Sequence, residues 1–74
     1  MQAKAFSAQF RAERADLEGQ LSRYTELLGT ARTNCDSRSA AAIRKSIRLT
    51  EDDLRRIDRM LEAIERRFPE AFSR

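Results

Sequence analysis

Apolar residues recur along this chain in two stripes. The first runs Phe10, Leu17, Leu21, Tyr24 and Leu28, and the second runs Ile43, Ile47, Leu54, Ile57, Leu61, Ile64 and Phe68. The spacings are three, four and seven residues, the repeat that keeps one face of an α-helix buried. In a heptad lettered a to g, Leu17 at d places Leu21 at a, Tyr24 at d, Leu28 at a and Phe10 at d. Arg14 then interrupts the stripe at an a position, where its long stem can still cover apolar surface. In the second stripe, Ile47 at a puts Ala40, Leu54, Leu61 and Phe68 at a, and Ile43, Thr50, Ile57 and Ile64 at d.

These patterns predict a helix over about residues 3–29, with Gly29 as its C-terminal cap. Residues 30–37 have little periodicity and form the expected turn, in which Asp36 or Ser37 can accept a hydrogen bond from the next helix's free amides. A second helix is expected over about residues 38–68, ended by Pro69, with a short tail over 69–74. One ambiguity concerns residues 49–53 (LTEDD), which also read as a helix start with Thr50 as N-cap. The heptad keeps phase across Thr50 and favours one helix; a break there would make three.

The fold class that follows is all-α: a single domain over residues 1–74, built as an antiparallel helical hairpin. A hairpin of 74 residues buries little surface, and chains of this size usually need a staple or a partner. Cys35 is the sole cysteine and there is no histidine, so neither an internal disulfide nor ordinary zinc-finger spacing is available. Self-association is therefore expected, most simply as a homodimer forming a four-helix bundle. It would shelter Phe6, Leu27 and Met60, which fall at g positions beside the stripes.

Composition refines this picture. Charged residues make up 36% of the chain with a net charge of +3, interspersed with regular apolar positions as on a solvated helical surface. The first 37 residues are balanced, so the positive surplus lies in the second half. No apolar run approaches the roughly 18 residues that would mark a membrane span. The acid-poor start, Met1 to Ala12, is followed at once by Glu13, Asp16 and Glu18, and reads as the first turns of a helix. A cytoplasmic location is the default and suits a free thiol.

Two groups of residues are candidates for function. Phe6, Phe10, Phe68 and Phe72 lie near the two chain ends, which a hairpin brings together, so the open end should be aromatic. They form a candidate protein-binding patch, or else plug the end of the core. Arg38, Arg44, Lys45 and Arg48 start the second helix with no acid between them, and Arg32 is nearby. They form a candidate anion or nucleic-acid contact, although no aromatic residues interleave with them as in a single-strand binder.

Residues 45–54 (KSIRLTEDDL) resemble the strand-to-helix opening of ribbon-helix-helix repressors, in which a short strand enters the DNA major groove as part of a dimeric ribbon. Residues 53–61 (DLRRIDRML) resemble the opening helix of the all-helical chorismate mutases. That family places the motif at its start and follows it with two more helices carrying catalytic basic residues. Here the motif falls near the end, so completion of such a site is not expected.

No catalytic residues, cofactor or metal ligands are expected. Cys35 has no histidine to activate it, and the acids of the second helix read as surface and helix-dipole partners of nearby arginines. Gly19, at an f position in mid-helix, is either a mild defect or a place of close backbone approach. The expected function is non-enzymatic protein binding to a larger partner, as an adaptor, chaperone or inhibitor. The alternative is a nucleic-acid-binding regulator using the basic start of the second helix.

Overall fold

The computed structural model describes the backbone of residues 2–69 and the side chains of residues 5–69. Two helices, α1 (Gln2–Thr33) and α2 (Ser37–Arg67), pack along each other as a hairpin. The molecule measures 52 × 16 × 15 Å, a rod two helices wide and one thick.

The seam on α1 is a single row. Ser7, Phe10, Arg14, Leu17, Leu21, Tyr24, Leu28 and Ala31 alternate by three and four residues, and every other described side chain of α1 is exposed. This row is the expected stripe extended at both ends by the small residues Ser7 and Ala31, which carry little hydropathy signal and were not anticipated. On α2 the buried residues are Ala40, Thr50, Ile57 and Leu61, all at a or d. Ile43, Ile47, Leu54 and Ile64 complete that face at partial exposure. Far more of α2's polarity is segregated than α1's, because the outer face of α1 carries exposed alanines (Ala5, Ala8, Ala12 and Ala15) and Gly19.

The turn is tighter than the sequence predicted. Gly29 does not cap α1; the helix runs on to Thr33, and neither glycine has a positive φ. The left-handed residue is Cys35, at φ 56°. Its amide donates to the Arg32 carbonyl at 3.1 Å, and the Asp36 amide donates to the Ala31 carbonyl at 2.8 Å. This pair of bonds is the Schellman closure of a helix, with Cys35 where glycine is usual. Asp36 then opens α2: its Oδ1 accepts from the Ser39 amide at 3.1 Å, and its carbonyl from the Ala40 amide at 2.9 Å. Only residues 34–36 therefore lie between the two helices, in place of the expected 30–37.

α2 does not break near Thr50. The Thr50 side chain is buried at a d position, and its hydroxyl donates to the Ser46 carbonyl of the preceding turn at 2.9 Å. It is thus used inside a helix and not as an N-cap. The same continuity removes the ribbon-helix-helix expectation, since residues 45–54 contain no strand. At the far end α2 stops at Arg67, one residue short of the expected boundary. Phe68, before Pro69, leaves the helical conformation while its amide still donates to the Ile64 carbonyl at 2.9 Å.

Candidate interaction surfaces

The hairpin has two unlike flanks. Beside the a positions lie e and b; beside the d positions lie g and c. In an antiparallel pair the e positions of both helices share one side and the g positions the other.

The e flank is polar and ion-paired. Arg14 Nε donates to Asp58 Oδ1 at 2.7 Å, and Arg11 Nη2 to Glu65 Oε1 at 3.3 Å, both across the hairpin. Arg14 Nη1 also reaches Glu18 Oε1 at 3.0 Å along α1. These side chains are roughly half exposed, so the bridges set alignment more than they add stability. The hydrogen bond to Asp58, and then the charges of Asp58 and Glu18, push the Arg14 guanidinium still further above its ordinary pKa. An arginine at a seam position implies a carboxylate across from it; that signal was present in the sequence, where Arg14 was read only as covering apolar surface. Within α2, Arg55 bridges Asp52, and Arg56 Nη1 lies 3.9 Å from Asp53 Oδ1, three residues apart in each case.

The g/c flank carries most of the exposed large hydrophobes, set among charged residues that include the Arg56–Asp53 pair. Of the five large hydrophobic side chains exposed among the described residues, Phe6 (54%), Leu27 (52%) and Met60 (40%) are at g and Leu49 (57%) is at c. Leu49 was missed because it belongs to neither stripe. Near the middle of this flank an open cleft is lined by Phe10, Leu17, Ile57 and Met60, with Glu13, Asp16, Asp53 and Arg56 around its rim.

The fifth exposed hydrophobe is Phe68, 42% exposed at the open end. The Arg11–Glu65 bridge aligns the start of α1 with the end of α2, so Phe6 and Phe68 occupy the same end, and Phe10 is half-buried one turn further in. The open end is thus aromatic as expected for Phe6, Phe10 and Phe68; Phe72 lies outside the described residues.

The basic candidates gather at the other end. Arg32, Arg38, Arg44, Lys45 and Arg48 are all exposed, at e, f or b positions, turned away from the g/c flank. Arg32 from α1 and Arg44 from α2 line one shallow hollow over the turn, with Cys35, Asp36 and Ala40. Among the described residues none of these five bases takes part in an ion pair. Asp36 contributes a carboxylate there, held below its ordinary pKa by the hydrogen bonds from Ser39. Cys35 is a free, exposed thiol.

Among the described residues no group of histidine, cysteine, aspartate and glutamate could hold a metal ion, and no helix is long and apolar enough to cross a membrane. No protein-family model, no curated protein and no solved structure matches this chain.

Proposed function

We propose that this chain is a non-enzymatic protein-binding module, in which two hairpins pair as a four-helix bundle and dock on a larger protein through the aromatic open end. The observation that carries this reading is the exposure of Phe68, which lies at the same open end as Phe6 but off the g/c flank. Exposed aromatic groups of this kind are costly to leave in water and are typical anchors of protein interfaces. The role is that of an adaptor, chaperone or inhibitor, and a cytoplasmic setting is consistent with the exposed thiol of Cys35.

The test is capture from an extract of the source cell. A protein retained by the native chain and lost with Phe68→Ala, while the far-ultraviolet circular dichroism is unchanged, supports the reading. Capture indifferent to Phe68→Ala and Phe72→Ala removes it. The second reading, nucleic-acid binding, draws support from the way the turn adds Arg32 to the bases of α2 on one accessible side. It requires binding that weakens steeply with salt and is abolished by replacing Arg38, Arg44, Lys45 and Arg48 with alanine.

A further inference from the structure

We infer that the g/c flank, the side bearing Phe6, Leu27, Leu49 and Met60, is the face on which a second copy of this chain packs. The inference rests on the pairing proposed above and assigns it a surface. Four observations converge on it.

The first is sidedness. The opposite flank is closed by the Arg11–Glu65 and Arg14–Asp58 bridges, whereas four of the five exposed large hydrophobes fall at g or c. A stripe restricted to a and d suffices for two helices; widening to g is what a helix needs when it has a second neighbour.

The second is extent. Phe6 lies near the open end and Leu27 toward the turn, so the exposed hydrophobes of this flank are spread along a 52 Å rod instead of gathered at one point. An occupant must be equally long and straight, and another hairpin has those dimensions.

The third is area. The chain exposes 5901 Å², while a compact monomer of 8.6 kDa exposes about 4,700 Å². A two-helix rod carries such an excess by its shape, and part of that surface is open to a neighbour. The shortage of core says the same: no large side chain of the described residues is fully buried.

The fourth is charge. The charged residues at g and c are Glu13, Asp16 and Asp53 against Arg23, Arg56 and Arg67, three of each sign. A surface with equal numbers of both signs can complement a copy of itself. A polyanion would call for one sign only.

Sedimentation equilibrium of the full chain between about 1 and about 100 μM tests the assignment. The native chain is expected to be a dimer. Leu27→Glu and Leu49→Glu should weaken it at least about 100-fold, because each buries an unpaired charge in the interface. Ala15→Glu and Ala41→Glu, at exposed b positions on the other side, should leave it dimeric. Far-ultraviolet circular dichroism accompanies each variant, and if Leu27→Glu unfolds, the uncharged Leu49→Gln supplies the same readout with the seam intact. A native chain that sediments as a monomer overturns both the pairing and the surface. A dimer that survives Leu27→Glu and Leu49→Glu, or that is broken by Ala15→Glu or Ala41→Glu, overturns the surface and leaves the pairing standing.

Discussion

Cys35 holds a left-handed backbone conformation that side chains with a Cβ avoid, because the turn needs such a residue two positions after the end of α1. Relieving that strain should outweigh the extra chain entropy that glycine brings to the unfolded state. Cys35→Gly is therefore expected to raise stability by about 0.5–1 kcal/mol, read as a higher thermal midpoint, and a β-branched Cys35→Val to lower it. Its neighbour Asp36 is the pH-sensitive residue. Hydrogen bonds from Ser39 lower its pKa in the folded state, so its contribution is complete above the ordinary carboxylate value and disappears as pH falls through the lowered one. Between neutrality and strongly acidic pH the native thermal midpoint should fall more than that of Asp36→Asn, which keeps an acceptor but cannot titrate; equal falls would show that the cap carries no charge-dependent stability.

At the level of the helices, the sequence was most informative where large apolar side chains repeat, as from Ile43 to Ile64. It was least informative where small or polar residues fill seam positions. Ser7, Ala31 and Thr50 are all buried, yet none stands out by hydropathy, and Thr50 carries local chemistry that equally suits a helix start. The turn was misplaced for a related reason: Gly29 advertised a helix end that the chain does not use, and the residue that takes the left-handed conformation has no sequence preference for it. Gly19 and Gly29 both sit inside α1, and a methyl group added at either meets nothing within 4 Å. Each change to alanine should therefore add about 1 kcal/mol of stability in a denaturant titration. A loss at Gly19 would indicate that another backbone approaches that face.

The whole molecule is a rod with a radius of gyration of 16.5 Å, against about 11 Å for a compact chain of this length. Its alignment is specified partly by charge, through Arg14 on one helix and Asp58 on the other. A double-mutant cycle on Arg14→Ala and Asp58→Ala should give a coupling that shrinks with added salt, since both groups are substantially exposed. If two rods share one core, the thermal midpoint must also climb with protein concentration, which a lone hairpin would not show. The candidate surfaces were only half legible in advance: the aromatic end and the bases could be read from position along the chain, but the division into a bridged side and a side bearing most of the exposed hydrophobes depends on which carboxylate faces which arginine.

Asp36 finishes one helix and begins the next, donating its amide to the Ala31 carbonyl and accepting the Ser39 amide with its carboxylate. The connector consequently has no slack. Surface connections usually tolerate an extra residue, but here one more amino acid would pull the Asp36 amide off the Ala31 carbonyl and shift α2 against α1. This bend behaves as a gear tooth, not a hinge, and an inserted glycine between Cys35 and Asp36 should cost the molecule far more than the same glycine placed beyond Pro69.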